Sequence, residues 1–129
     1  MNPKIWLSAL MVAGLGCSVQ AQSAYPNKPV RLVVGFAPGG AADYVARAMS
    51  DAMGKALGQT VIVENRGGAS GTIGTAAVVQ APADGYTFAV VFDTFGVNPS
   101  LTPSMPFDSK KDLTPMVVVG TSPMVLATH

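Results

Sequence analysis

The sequence predicts an α/β fold in which helices cover a parallel sheet, and three observations lead to this prediction. A nearly continuous apolar run of Leu32, Val33, Val34 and Phe36 is followed by a Pro-Gly-Gly corner at residues 38–40 and then by a helical pattern. The same order of strand, glycine-rich turn and helix recurs between residues 61 and 80. The first run also lacks polar alternation, which is typical of a strand buried on both faces of a parallel sheet.

The first predicted helix begins after the corner and lies on the sheet. Its small and apolar residues recur at three- and four-residue spacing, which is the pattern of a helix with one buried face. Gly58, just past the last of them, is a typical residue for ending a helix. Asp43 falls in the first turn, where a carboxylate complements the helix dipole, or fixes the corner, or accepts a hydrogen bond from a ligand. The apolar positions are Ala42, Val45, Ala46, Met49, Met53, Ala56 and Leu57.

The later elements follow from turn residues and apolar runs. We predict a strand at residues 61–64, a glycine-rich turn at 65–71, a helix at 72–80, a reversal at 81–85 and a third strand at 86–92. Asp93, Thr94 and Phe95 then stand at the carboxyl end of that strand, with Phe95 either packing at the rim or facing a ligand. Residues 98–103 suggest an irregular loop or a single helical turn, and residues 114–119 and 124–128 a fourth and a fifth strand.

The two glycine-rich corners are candidates for an anion site. Each precedes a predicted helix, whose N-terminus offers backbone N–H groups and the positive end of the helix dipole. Gly-rich turns also occur simply because a connection is tight, so one corner alone would not decide the matter. In a parallel sheet both turns leave the carboxyl ends of strands, so both should open on the same edge. Asp93 and Thr94 would then form a third wall of the same site.

Several motifs closely resemble those of one receptor family. They are the aromatic-x-Pro-Gly-Gly-x-x-Asp corner from Phe36, the VENRGGA turn, the APADGYT connection and the FDSKKDLTP stretch, in that order. This combination is similar to the periplasmic solute receptors of tripartite tricarboxylate transporters, the Bug receptors. The resemblance covers essentially all of the chain from Tyr25 onward. It implies a lobe of a type II-like periplasmic binding protein and a chain that captures a small carboxylate for a membrane permease without chemistry.

The resemblance also implies which residues face the ligand. Backbone and hydroxyl groups of the two turns, with ordered waters, would hold the carboxylate, while Arg66 would pair with Glu64 or hold its turn rather than bind the ligand. Ser70 stands where relatives often have glycine, so its hydroxyl would add a contact or narrow the pocket. The implied ligand-binding positions are Phe36, Ala37, Pro38, Gly39, Gly40 and Asp43 in the first turn, and Gly68, Ala69, Ser70, Gly71 and Thr72 in the second.

Composition and motifs argue against other classes of function. The chain has 8 Lys and Arg residues and 7 Asp and Glu residues, without a basic cluster. This charge pattern does not indicate a surface that binds nucleic acid. His129 is the last residue and Cys17 the single cysteine, so no catalytic triad or metal-ligand spacing is visible. Neither corner fits Gly-x-Gly-x-x-Gly, and Gly54-Lys55 is followed by Ala56, so no nucleotide loop is predicted. We expect neither a cofactor nor a metal.

The first 21 residues read as a secretory signal peptide. Lys4 supplies the positive region, residues 5–15 the apolar region, and Val19-Gln20-Ala21 the cleavage site, so the periplasmic protein should begin at Gln22. Lipidation at Cys17 is the alternative.

Residues 22–129 then form part of the first lobe, whereas receptors of the resembled family are longer and have two lobes. Two alternatives to the receptor interpretation are an exported α/β enzyme with catalytic residues further downstream and a nonfunctional truncated remnant. As a lone lobe the chain should bind carboxylates weakly and expose apolar surface.

Overall fold

The computed structural model describes residues 24–121 and 126–128 and has the predicted α/β architecture. The three strands form one parallel sheet in the order β2-β1-β3, so β1 lies at its centre. The elements are β1 (Val30–Val34), α1 (Ala41–Leu57), β2 (Val61–Asn65), α2 (Thr72–Val79), β3 (Thr87–Val90) and α3 (Thr94–Leu101).

The centre of the core is β1, as its unbroken apolar sequence predicts. Val33 and Val34 point to opposite faces of the sheet, yet each is at most 2% exposed, so both faces are covered. Helix α1 packs against β1 and β2, and α2 packs against β1 and β3. Ala42 and Ala46 of α1 cluster with Val34, which places the start of the helix directly over the end of the central strand. The strand therefore fixes where the turn between β1 and α1 begins.

Both ends of α1 agree with the sequence prediction. The helix starts after Gly40, which has an extended conformation, and ends at Gly58, which is left-handed with φ 64°. A glycine takes this conformation without the steric cost that a Cβ would bring. Asp43 lies in the first turn and Lys55 in the last, so both charges complement the helix dipole.

Three glycines allow α2 to approach the central strand closely. A Cβ at Gly74 would lie 2.8 Å from the Arg66 carbonyl oxygen and 2.8 Å from Gly35 Cα. A Cβ at Gly35 would lie 2.8 Å from Gly71 Cα. The backbones of α2, of the turn before it and of the end of β1 are therefore in direct contact. This contact presses the N-terminus of α2 against the edge where β1 ends.

The prediction of an irregular loop or a single helical turn at residues 98–103 was wrong in the length of the helix. Instead of an irregular loop or a single turn, α3 runs through Asn98 and includes Pro99. Proline removes a backbone donor and was expected to disrupt a helix here. Contacts outside the helix compensate, because the buried Asn98 side chain donates to Ser70 O over 3.0 Å and anchors α3 to the turn before α2. The start of α3 also shortens β3, which ends at Val90 rather than at Phe92.

The predicted fourth strand is not present. Residues 114–119 have no regular structure, and Met116, Val117 and Val118 are 74%, 74% and 81% exposed. Their apolar and β-branched side chains suggested a strand, but a strand forms only where its backbone groups pair with a neighbour, and these residues join no sheet. Of the predicted fifth strand, residues 126–128 have no regular structure, whereas residues 124 and 125 lie outside the described residues. The signal peptide prediction also falls outside them.

No helix in the described part of the chain is both long enough and apolar enough to cross a membrane.

Candidate functional site

Two loops meet at one edge of the sheet, as predicted from the parallel strands. The first loop, residues 35–40, joins β1 to α1, and the second loop, residues 66–71, joins β2 to α2. The loops are neighbours because β1 and β2 are paired in parallel, with Val34 opposite Asn65. A Cβ at Gly67 would lie 3.4 Å from the Ala37 nitrogen, so the two backbones touch. Two helix N-termini, those of α1 and α2, therefore open on the same edge.

The first loop is held by a side chain of the helix that follows it. Gly39 has φ 83°, and its N–H donates to Asp43 Oδ2 over 2.9 Å. The next residue, Gly40, caps α1 through its backbone, since its carbonyl accepts from the Tyr44 N–H at 2.9 Å and no side chain caps the helix. Pro38 and the two glycines are exposed. The N-terminal end of α1 thus faces the solvent with its backbone uncovered.

Asp43 is buried beneath the first loop, with only 4% of its surface exposed. Its Oδ2 accepts from Gly39 N and from Arg47 Nε, each at 2.9 Å, and its Oδ1 accepts from Asn65 Nδ2 at 2.9 Å. The hydrogen bond from the Arg47 guanidinium, followed by those from Gly39 and Asn65, holds the pKa of this carboxyl well below its usual range. Asp43 is therefore ionised at neutral pH, and both of its oxygens are engaged.

Asn65 connects the two loops. It is the last residue of β2, and its Nδ2 donates to Phe36 O at 3.1 Å as well as to Asp43. Its Oδ1 accepts from the Arg47 guanidinium at 3.2 Å. A single amide side chain at the start of the second loop thereby contacts both the first loop and α1.

The second loop has an unusual backbone. Gly68, Ala69, Ser70 and Gly71 all have positive φ, with values of 132°, 46°, 53° and 90°. Ala69–Gly71 form a single 3-10 turn that closes with a hydrogen bond from Gly71 N–H to Gly68 O at 3.0 Å. Alanine and serine in this region carry a conformational cost that other contacts must offset.

Two polar side chains supply such contacts. Thr75 Oγ1 donates to Gly71 O at 3.0 Å, and Asn98 Nδ2 donates to Ser70 O at 3.0 Å. Thr75 and Asn98 are 4% and 7% exposed, so these hydrogen bonds are shielded from water. The Gly71 and Ser70 carbonyl groups are thus held by side chains of α2 and α3.

A small cavity lies between the second loop and α3. Its wall includes the predicted residues Phe36, Ser70, Gly71, Thr72 and Thr94. Four aromatic rings line the cavity, those of Phe36, Phe92, Phe95 and Phe107, and the rings of Phe36 and Phe92 meet edge to face with centroids 5.7 Å apart. Phe95 is half-buried, so it lies on the cavity wall rather than free in solution.

The structure thus brings most of the predicted site residues to one edge. Their contact with a ligand stays a prediction. Asp93 stands at the start of α3, where its carboxylate accepts from the Thr94 N–H at 2.8 Å. Arg66 pairs with Glu64 at 2.6 Å, which is the pairing expected from the sequence, and the absence of Arg66 from the ligand site stays a prediction. Glu64 also pairs with Arg31, and these two arginines hold the pKa of the Glu64 carboxyl below its usual range.

Sequence reasoning missed three residues that shape these loops, namely Arg47, Asn65 and Asn98. Their hydrogen bonds join residues far apart in the chain, so no local spacing marks them. For Arg47 one signal was available, because it lies four residues after Asp43 on a helix and forms an i,i+4 ion pair.

The described residues at this edge offer hydrogen-bonding groups. Within residues 24–121 and 126–128, no three His, Cys, Asp or Glu side chains come together to hold a metal ion. The N-termini of α1 and α2 open on this edge, and the hydroxyl-bearing residues Ser70, Thr72 and Thr94 line the cavity beside it. Such an arrangement suits the binding of a small anion.

Comparison with known proteins identifies the family. The model of the tripartite tricarboxylate transporter family receptor matches residues 45–129. Protein BugT of Bordetella pertussis is 40% identical over 122 residues, which cover 93% of this chain and 37% of BugT.

Solved structures of similar proteins lead to the same family. The structure of MatC from Rhodopseudomonas palustris with bound malate is 38% identical with a TM-score of 0.65, over 70% of this chain and 31% of that one. Another, described as a periplasmic transporter, is 44% identical with a TM-score of 0.64, over 67% of this chain and 29% of that one. The chain therefore spans roughly a third of the length of the proteins it matches. It belongs to the tripartite tricarboxylate transporter receptor family.

Proposed function

We propose that this chain supplies one wall of a periplasmic solute-binding site that captures a small carboxylate and delivers it to a membrane permease. The observation that supports this most strongly is the meeting of two loops, each followed by a helix N-terminus, at one edge of the sheet. Each N-terminus stabilises a nearby negative charge by about 0.3–1 kcal/mol. The solved relative with bound malate makes a hydroxydicarboxylate the first ligand to test.

The proposed binding mode uses backbone groups and hydroxyls rather than a salt bridge. Arg47 and Arg66, the arginines beside the loops, are already paired with Asp43 and Glu64. A carboxylate would instead accept hydrogen bonds from the loop backbones and from Ser70. This mode fits a receptor that must release its ligand, because donors without a full charge form no bidentate ion pair with the carboxylate.

A titration of the ¹⁵N-labelled chain with malate tests this proposal directly. We expect amide shifts confined to residues 36–40 and 68–72, with an affinity in the millimolar range, which corresponds to only about 4 kcal/mol of binding free energy. Dimethyl malate, which has the same carbon skeleton without the charges, should leave these amides unchanged. Malate shifts that are absent, or that are reproduced by the neutral ester, would rule out a carboxylate site on these loops.

The proposed location has its own test. Expression of the whole chain in a Gram-negative host, followed by fractionation and intact-mass measurement, should give a periplasmic product that begins at Gln22. A product that begins at Cys17 with added lipid mass would instead establish a lipoprotein. No observation on the described residues favours the alternative of an exported enzyme.

A further inference from the structure

We propose that Asn65, Asp43 and Arg47 form a brace that sets the position of the first loop relative to the second, and that Asp43 is a positioning residue without ligand contact. This inference rests on the proposed carboxylate site for its functional consequence, but its structural content can be tested without ligand. It assigns a different role to Asp43 from the ligand contact that the sequence resemblance implies.

The hydrogen bonds of the brace span both loops. Asn65 lies where β2 passes into the second loop, and its amide nitrogen donates to Phe36 O in the first loop and to Asp43 Oδ1 in α1. Asp43 in turn accepts from the Gly39 N–H of the first loop. Two points of the first loop are therefore linked to Asn65 of the neighbouring strand, Phe36 directly and Gly39 through Asp43. A shift of either loop would break at least one of these hydrogen bonds.

Asparagine has the donors and acceptor that this position requires. Both hydrogens of its amide nitrogen are used, toward Phe36 O and Asp43 Oδ1, and its oxygen accepts from Arg47. A carboxylate of the same shape would have no donor for Phe36 O and would face the charge of Asp43. The amide is therefore the group that completes the brace.

The surroundings of Asp43 separate it from an incoming ligand. It is 4% exposed and lies on the protein side of the first loop, with hydrogen bonds to both oxygens. Its charge is balanced by the guanidinium of Arg47, which stays half exposed with 54% of its side chain accessible. This pairing matters for an anion site, because an unbalanced carboxylate under the loop would repel the ligand.

The first experiment uses the ligand-free chain and compares Asn65→Ala with the matched control Arg66→Ala. Arg66 is the next residue in the chain, but its side chain pairs with Glu64 and has no described contact with the first loop. We expect Asn65→Ala to shift the amides of residues 36–40 and to accelerate hydrogen exchange at Gly39, whereas Arg66→Ala leaves both unchanged. Equal effects of the two variants, or an unchanged first loop in Asn65→Ala, would overturn the brace.

A second variant keeps this test decisive if Asn65→Ala fails to fold. Arg47 is largely exposed, so Arg47→Ala should leave the core intact while removing one partner from both Asp43 and Asn65. We expect the same pattern of amide shifts in the first loop with a smaller amplitude. A first loop that is unaffected by the loss of Arg47 would contradict its place in the brace.

The second experiment measures malate affinity in Asp43→Asn, Asn65→Ala and the double variant. A brace predicts that each single variant weakens binding about 2- to 30-fold and that the double variant is no weaker than the worse single one. If Asp43 contacted the ligand, Asp43→Asn would weaken binding while Asn65→Ala retained the affinity of the unaltered chain. Failure of the unaltered chain to bind malate would reject the proposed ligand, whereas the ligand-free comparison would still decide the brace.

Discussion

The ionisation of Asp43, which holds the first loop, makes the stability of the protein depend on pH. Its pKa is lowered in the folded protein, chiefly by the hydrogen bond from Arg47, relative to about 3.9 in an unfolded chain. Its contribution to stability is therefore complete above the unfolded value and is lost as the pH falls toward the folded one. We predict that Asp43→Asn is less stable than the unaltered chain at pH 7 and that its stability falls less steeply in acid.

Urea denaturation between neutral and strongly acidic pH measures this effect. Asp51→Asn, a change at an exposed position of the same helix, is the control and should keep the acid dependence of the unaltered chain. Parallel pH profiles for Asp43→Asn and the unaltered chain would contradict the prediction.

Gly74 provides a second test at the level of single residues. Alanine normally favours a helix, but here its Cβ would lie 2.8 Å from the Arg66 carbonyl oxygen and from Gly35 Cα. We predict that Gly74→Ala destabilises the protein by about 1–3 kcal/mol, because the backbone contact must open. Gly96 is the matched control, since it also lies in a helix but a Cβ there meets nothing within 4 Å. Gly96→Ala should therefore be neutral or stabilising by up to about 1 kcal/mol, as thermal unfolding would show.

At the scale of the elements, α3 is tied to the second loop by a buried side chain. Its buried Asn98 side chain donates to Ser70 O at 3.0 Å and lies 3.4 Å from Thr72 Oγ1. We predict that Asn98→Ala costs about 1–3 kcal/mol, because it leaves the Ser70 carbonyl without this buried donor. Hydrogen exchange should also become faster in the second loop. Ser100→Ala, on the exposed part of α3, should change neither quantity.

The success of sequence reasoning differed between elements for physical reasons. Helix α1 has a long apolar stripe and a glycine at its end, and its bounds follow from local pattern alone. The adjacency of the two loops follows from the rule that parallel strands end at one edge. Helix α3 depends on Asn98 reaching Ser70, a contact that no local spacing reveals.

Local sequence patterns also failed to reveal long-range contacts within the candidate site. The glycine-rich loops were found from local sequence, and Gly39, Gly68 and Gly71 have the positive φ that glycine tolerates, whereas the role of Asn65 depends on partners in the other loop. The prediction of a strand at residues 114–119 failed for the opposite reason. Their strand propensity is a local property of the sequence, but a strand also needs a neighbouring strand, and these residues join no sheet in the described part of the chain.

At the scale of the whole molecule, residues 116–119 are an apolar segment open to solvent. Their side chains are 49–81% exposed, and no proline or charge lies within the segment. Exposed apolar residues with high strand propensity are a hazard for pairing between molecules. We predict concentration-dependent association of the chain that Val118→Lys reduces, as sedimentation velocity would measure. Ser104→Lys adds the same charge at another exposed position and should leave association unchanged.

The sheet order also determines when the fold can form. Each pairing of the central strand joins distant parts of the chain, with Val30 opposite Val61 and Arg31 opposite Thr87. Parallel pairings of this kind form slowly, because a long loop must close before any hydrogen bond is gained. As the chain leaves the ribosome, β1 has no partner on one side until the residues of β3 have been made. The central strand is therefore completed late, and the sheet cannot close before the residues of β3 are available.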